Sequence, residues 1–244
     1  MKTERDLLFA EPLAQPSQFT FDEKVAAVFP DMIKRSVPGY NSVIAMTGVV
    51  AGEYVKPGDT CYDLGCSLGE STFAMASQIQ QPDCQIIAID NSAQMLDRCQ
   101  QALDKLKPTA QIDLLCHDIL QVDFQPCSMV VLNYTLQFIA LDQRDALIQR
   151  IYAALRPGGV LLLSEKIQFS DQQLNHRMIE LHHAFKRANG YSDLEISQKR
   201  TALENVLQPE YPQTHLQRLT RAGFSEVDTW FQCFNFSSMI AIKG

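Results

Sequence analysis

Three aspartates and an asparagine close apolar runs along this chain, at places where a side chain can meet a ligand. Asp63 lies in T-C-Y-D-L-G-C-S-L-G (60–69), Asp90 ends Q-I-I-A-I-D (85–90), Asp118 stands in L-C-H-D-I, and Asn133 follows V-V-L. Behind the first of them comes a turn of small residues, Gly65-Cys66-Ser67-Leu68-Gly69. Such a turn lets backbone come close to a ligand where a larger side chain would collide. A Gly-rich first turn, with an acidic residue at the end of the next strand, is the pattern of a doubly wound sheet that binds a nucleoside. The turn holds the ligand near a helix N-terminus, and the second carboxylate accepts hydrogen bonds from ribose hydroxyls.

The turn admits three chemistries. A dinucleotide fold asks for G-x-G-x-x-G, but Ser67 stands at the second position and the third glycine falls one residue early. A nucleophile elbow, G-x-S-x-G, makes Ser67 the attacking group. That fold needs several strands before the elbow, and the preceding residues read as largely helical. The S-adenosylmethionine turn, D/E-x-G-x-G-x-G, fits Asp63 to Gly69 with one substitution, Ser67 for the middle glycine. A structural turn without ligand is the plainest alternative.

On the S-adenosylmethionine reading, Asp90 takes the ribose hydroxyls, with Asn91 beside the adenine; the alternative is a cap for the next helix. Asp118 hydrogen-bonds the adenine amino group and Ile119 covers the ring; the alternative is a loop carboxylate. Asn133 faces the amino-acid end of the ligand or the reacting group, and Asp63 orients the turn or the methionine ammonium. Tyr40, on the turn S-V-P-G-Y, is either a lid or a packing residue. No histidine is placed beside Cys66 to make it a nucleophile. His117, His176, His182, His183 and His215 form no metal set and read as solvated or capping groups.

The elements that must position these groups alternate strand with helix. Apolar runs place strands at 60–64, 85–90, 111–116, 128–133 and 159–164, and helices at 70–80, 92–106 and 141–155. This rhythm demands a parallel sheet with right-handed crossovers. I-I-A-I, M-V-V-L and V-L-L-L are apolar on both faces, as central parallel strands must be. Before them, a helix over 21–29 ends ahead of Pro30, and a second is capped by Asn41 and stopped by Pro57-Gly58. Residues 1–20, with Pro12 and Pro16, read as an arm ordered only by docking. After Glu165 come a long helix over 171–188, a polar stretch to Arg200, helices near 201–207 and 213–222, and strands at 226–232 and 235–242. The expected fold is α/β: a doubly wound, seven-stranded, mostly parallel sheet in a single domain. Within it lie an N-terminal helical cover (1–56), a nucleoside-binding core (57–165), a helical insertion (166–222) and a closing strand pair (223–244).

A chain of 244 residues is long enough for one sizeable core. No run approaches the ~18 apolar residues of a membrane span, and the polar N-terminus has no signal-peptide core. Seven cysteines without a C-x-x-C pair read as reduced thiols of a cytoplasmic protein. The net charge of −7 repels phosphate backbones, which counts against direct nucleic-acid binding.

Six stretches carry a more specific resemblance: F-P-D-M-I-K-R-S-V-P-G-Y (29–40), Y-D-L-G-C-S-L-G (62–69), I-I-A-I-D-N-S (86–92), S-M-V-V-L-N-Y-T-L-Q-F (128–138), F-K-R-A-N-G-Y-S-D-L-E-I-S-Q-K-R (185–200) and W-F-Q-C-F-N-F (230–236). With these the chain resembles the carboxy-S-adenosyl-L-methionine synthases over nearly its whole length. Only about the first 18 residues depart from the family pattern, and no site residue lies there. The resemblance implies a class I methyltransferase fold that transfers no methyl group. S-adenosyl-L-methionine and prephenate would become carboxy-S-adenosyl-L-methionine and phenylpyruvate. The product would supply a downstream tRNA carboxymethyltransferase that modifies the wobble uridine. The resemblance also implies a homodimer, and ligand contacts from Tyr40, Gly65, Cys66, Ser67, Asp90, Asn91, Asp118, Ile119, Asn133 and, from the neighbouring subunit, Arg200; no metal is expected, since the histidines form no metal set. From composition alone Arg200 is a solvated charge. An ordinary methyltransferase acting on a small molecule or tRNA, and a non-catalytic nucleoside carrier, are the competing functions.

Overall fold

A computed structural model describes residues 4–14, 18–204 and 206–244. The sheet is assembled from β1 (Thr60–Leu64), β2 (Gln85–Asp90), β3 (Gln111–Cys116), β4 (Cys127–Asn133), β5 (Leu155–Lys166), β6 (Glu226–Cys233) and β7 (Phe236–Ile242). Their order across it is β3-β2-β1-β4-β5-β7-β6, parallel except for β7, which runs antiparallel to both neighbours. β1 and β4 lie side by side, so the winding reverses between them. In open α/β sheets ligands bind at the carboxyl ends of the strands beside such a reversal.

Alternation along the strands feeds two cores, one on each face. Leu161 and Leu163 of β5 pack with Leu132, Ile148, Ile151 and Leu219, while Val160 and Leu162 pack with Val131, Ala51, Met75 and Ile79. The first face is covered by α5 (Leu141–Ala154) and α8 (Pro212–Ala222), the second by α2 (Tyr40–Tyr54) and α3 (Glu70–Gln78). α4 (Ala93–Leu103) follows β2, with Ser92 accepting from the Met95 backbone N–H as its cap.

The structure corrects four sequence expectations. α1 spans Glu23–Ser36 and carries Pro30 inside it, so it does not stop at Phe29. Beyond the proline, Met32 and Ser36 are buried and, with Ile33, line the main cavity, so tertiary packing holds the helix past a residue that would otherwise break it. α2 begins at Tyr40 with Gly39 as its cap, so Asn41 lies within the helix. Gly39 sits at φ 78, and a Cβ there would lie 2.3 Å from the Phe231 ring, which selects glycine and sets the helix start. The helix expected near 201–207 is α7, Asp193–Leu203; it starts in the polar stretch because Ser192 and Glu195 form a capping box. β5 starts at Leu155, which pairs with Cys127.

The insertion opens with α6 (Gln172–Ala188). The N-terminal arm is docked on α7: Gln198 accepts from the Leu13 N–H at 2.6 Å and donates to the Phe9 and Glu11 carbonyls at 2.9 Å. Pro16 and Asn205 lie outside the described residues. No helix of the described residues is long and apolar enough to cross a membrane.

Candidate active site

A cavity of about 390 Å³ opens above the carboxyl ends of β1, β2, β4 and β5, under α1 and α7. That is within the ~300–1,000 Å³ typical of small-molecule sites. Its floor is the turn after β1. Gly65, Ser67 and Gly69 all adopt positive φ, at 77, 50 and 85. The Gly65 and Cys66 N–H groups donate to the Ile89 carbonyl at 2.8 and 3.0 Å, which ties the turn to β2. A Cβ on Gly65 would lie 2.4 Å from Thr135 Oγ1, so the loops after β1 and β4 can touch only through a glycine. Ser67 takes the left-handed conformation usually left to glycine.

The carboxylates divide their work. Asp63 is buried and accepts from the Thr72 hydroxyl at 2.6 Å; burial raises its pKa to about 6 against the pull of that bond. It fixes the turn on α3 and does not line the cavity. Asp90 accepts from the Ser67 N–H through Oδ2 and from the Ser92 N–H through Oδ1, each at 2.9 Å. Cap and ligand roles therefore do not exclude one another. Each oxygen keeps a second lone pair, and Asp90 lines the cavity. Burial raises its pKa in spite of those bonds. Asp118 uses Oδ1 on the Leu120 N–H at 2.9 Å, and Ile119 beside it is buried in the lining. Asn91 is exposed at the rim.

Tyr40 is buried against Tyr134, ring centroids 5.9 Å apart, and its hydroxyl has no hydrogen-bond partner among the described residues. Asn133 donates to Thr47 Oγ1 and Ser71 Oγ at 3.2 and 3.0 Å and accepts from Ser164 Oγ at 2.7 Å. It lines the cavity with most of its hydrogen-bonding capacity already used. Burial lifts the Cys66 thiol well above its usual range, so it is no nucleophile at neutral pH. Arg200 is exposed on α7 and does not line this chain's own cavity, unlike the other expected contacts.

The opposite end was not foreseen. Lys166 at the end of β5, Lys186 on α6 and Lys199 on α7 all line the cavity. With them stands His182, whose Nε2–H donates to the Ser36 carbonyl at 2.7 Å. Burial pushes His182 down to about 2, so it is neutral, and it is a buried wall residue instead of the solvated or capping group its sequence context suggests. His215 is likewise buried, with a pKa lowered to about 4. Phe236 joins this wall, 5.0 Å from the His182 ring and 6.2 Å from Tyr134. Among the described residues no group of His, Cys, Asp or Glu is placed to hold a metal ion.

Comparison with known proteins places this geometry among relatives. Residues 62–159 match the methyltransferase domain family. A carboxy-S-adenosyl-L-methionine synthase of Geobacter sp. (strain M21) is 56% identical over 100% of both chains. One from Trichlorobacter lovleyi is 57% identical over 100% of both, and one from Vibrio cholerae 55% identical over 98% of this chain and 97% of its own. Among solved structures, an O-methyltransferase family protein from Burkholderia thailandensis superposes with a TM-score of 0.66 at 13% identity, over 92% of this chain and 61% of that one. Human N-acetylserotonin methyltransferase in complex with SAM gives 0.58 at 16%, over 91% and 55%. At such identity the solved structures speak for the fold alone.

Proposed function

The chain belongs to the carboxy-S-adenosyl-L-methionine synthase family, and from that premise we propose that it converts S-adenosyl-L-methionine and prephenate into carboxy-S-adenosyl-L-methionine and phenylpyruvate. The observation that supports this most is the cavity over the glycine turn, whose lining holds the expected nucleoside contacts apart from Arg200. Asp90 takes the ribose hydroxyls, Asp118 and Ile119 the adenine, and the Tyr40 hydroxyl supplies a free polar group over the reacting end. The segments 1–56, 57–165, 166–222 and 223–244 work as one unit around it.

In the proposed reaction prephenate loses carbon dioxide and hydroxide as its ring becomes aromatic. The departing hydroxide takes a proton from the sulfonium methyl group, giving water and a ylide. The ylide carbon bonds to the carbon dioxide, and the new carboxylate remains on the sulfonium carbon. A closed cavity keeps the carbon dioxide beside the ylide and bulk water away from both. Arg200 acts from the partner subunit of a homodimer. Its planar fork of donors holds the new carboxylate, whereas beside unmodified S-adenosylmethionine it would only repel a cation. The enzyme works in the cytoplasm, and its acidic chain hands the product to a separate tRNA carboxymethyltransferase without gripping tRNA itself.

The test is to incubate the protein with S-adenosylmethionine, with and without prephenate, and weigh the nucleoside product. A gain of one carboxyl group only with prephenate is expected. S-adenosylhomocysteine appearing with a methyl acceptor would mean ordinary methyl transfer, and tight retention without turnover would mean a carrier.

A further inference from the structure

Unpaired charge marks the far end of the cavity. Lys186 is 8% exposed, lines the cavity, and has no hydrogen-bond or ion-pair partner among the described residues. The Lys166 ammonium lines the same wall, also without a partner among them. Lys199, 5% exposed, lies 3.5 Å from Asp6 and 3.1 Å from Ser36 Oγ. The Asp6 carboxylate is shared further, accepting from the Tyr191 hydroxyl at 2.5 Å and the Leu8 N–H at 3.2 Å. Nearby Arg35 is paired with Asp31 at 2.9 Å, and His182 is neutral. Three lysine amines thus face one carboxylate, so full protonation would leave an excess of two positive charges.

A buried ammonium without a partner is costly, and proteins rarely keep one unless something else supplies the counter-charge. The strain is visible in the lysines themselves. Burial, with repulsion from Lys199 and Lys166, holds Lys186 down to about 7; burial outweighs the pull of Asp6 and holds Lys199 to about 8. Among the described residues no side chain pairs with Lys186 or Lys166, so an anionic ligand in the cavity would supply the counter-charge that keeps them protonated. Its chemistry can be read from the surroundings. Two unmatched positive charges ask for two negative ones. Phe236, Tyr134 and Tyr40 offer apolar faces between the lysines and the glycine turn, which suits a small ring carrying the anions. The nucleoside end of the cavity is acidic, with Asp90, Asp118 and Glu70 in its lining, so the dianion is directed away from it.

We propose that Lys166, Lys186 and Lys199 form the subsite for the second substrate, a small ringed dicarboxylate, with Lys186 contributing the principal carboxylate contact. This rests on the function proposed above, in which prephenate is that dianion, and it assigns residues to a substrate whose binding site the sequence did not reveal. The subsite holds the dicarboxylate at the carboxyl end of β5, in the same cavity as the sulfonium end of the nucleoside, so carbon dioxide is released where it is captured.

The experiment uses the full chain, prephenate as the probe, and Lys186→Met, which removes charge at little cost in volume. The KM for prephenate is expected to rise about tenfold to a hundredfold, the worth of one charge-assisted contact. The affinity for S-adenosylmethionine should stay within about twofold. Lys186→Arg should recover part of the loss. An unchanged KM for prephenate in Lys186→Met overturns the assignment. If Lys186→Met does not fold, Lys166→Met carries the same test. If the wild type makes no carboxylated product, the functional reading fails on its own. Equilibrium dialysis then decides the subsite separately: prephenate held by the wild type and released by Lys186→Met sustains it, and prephenate held equally by both, or by neither, removes it.

Discussion

The two ends of the cavity are finished to different degrees. At the nucleoside end the polar groups satisfy one another: Asp90 accepts from the Ser67 and Ser92 N–H groups, and the turn donates to the Ile89 carbonyl. At the lysine end Lys186 and Lys166 have no hydrogen-bond or ion-pair partner among the described residues. A mutually bonded end is already shaped before any ligand arrives, and its binding groups come from spare lone pairs. An end with surplus charge is complete only when occupied. The first is therefore broken by shape changes, the second by charge changes.

The largest effect is expected from Gly65→Ala. Its Cβ would meet Thr135 Oγ1 at 2.4 Å, on a backbone at φ 77. Strain and overpacking together should cost about 2–4 kcal/mol and abolish S-adenosylmethionine binding. Gly158 has the same φ of 77 with nothing near its Cβ position, so Gly158→Ala should cost about 1–2 kcal/mol and leave binding intact. Thermal melts and ligand titration measure both. Equal losses in the two variants would mean that the close approach between the loops after β1 and β4 is unimportant.

The same contrast explains what could be read from the sequence. The nucleoside end lies on consecutive βα units, where apolar runs mark each strand and the next polar residue marks its carboxyl end. Asp63, Asp90, Asp118 and Asn133 were legible for that reason. Lys166, Lys186 and Lys199 sit on a strand end and two helices of the insertion, and a lysine on a helix reads as solvated unless its burial is known. His182 was hidden in the same way. The α7 boundary was missed although Ser192-x-x-Glu195 is a capping-box signature. Arg200 shows the reverse limit. Its ligand role came from resemblance, and a single chain leaves it exposed, so only a paired assembly can test it.

Arg200→Ala should come next in size. The variant should keep its melting temperature, because the side chain is exposed on α7. Its preference for carboxylated over unmodified S-adenosylmethionine should fall about tenfold or more, corresponding to ~1.5–3 kcal/mol for a charge-assisted bond. The ratio of the two dissociation constants is the readout, and an unaltered ratio would sever Arg200 from the site.

A smaller, graded effect should appear with pH. Lys186 and Lys199 have folded pKa values of about 7 and 8, below the 10.5 of an unhindered lysine. The groups facing them are Lys166, Asp6, Arg35, Asp31, Tyr191, His183 and His182, and the last is neutral throughout. Between about pH 7 and 10 the unfolded chain binds more protons than the folded one, so the ligand-free protein gains stability as pH rises. Affinity for prephenate should move oppositely, falling up to about tenfold per pH unit as the cations are lost. Denaturant titrations of wild type and Lys186→Met isolate the first slope, and the KM for prephenate against pH gives the second. Parallel slopes would show that the lysines do not meet the anion.

The smallest change expected is at the finished end, in Ser67→Gly. Ser67 holds φ 50, a region that costs an L-residue ~1–2 kcal/mol. Glycine removes that strain but adds ~0.4–1 kcal/mol of unfolded-chain freedom. The Ser67 hydroxyl contributes little against this, since its contact is to Met95 Sδ at 3.5 Å, and the bond to Asp90 is made by the backbone N–H and survives the change. Strain relief therefore outweighs entropy, and the variant should be more stable by up to ~1 kcal/mol, read as a small rise in melting temperature. Its affinity for S-adenosylmethionine should hold, because the N–H that fixes Asp90 stays in place. A marked fall in that affinity at unchanged stability would mean instead that the serine hydroxyl touches the ligand, and that the nucleoside end uses this side chain as well as its backbone.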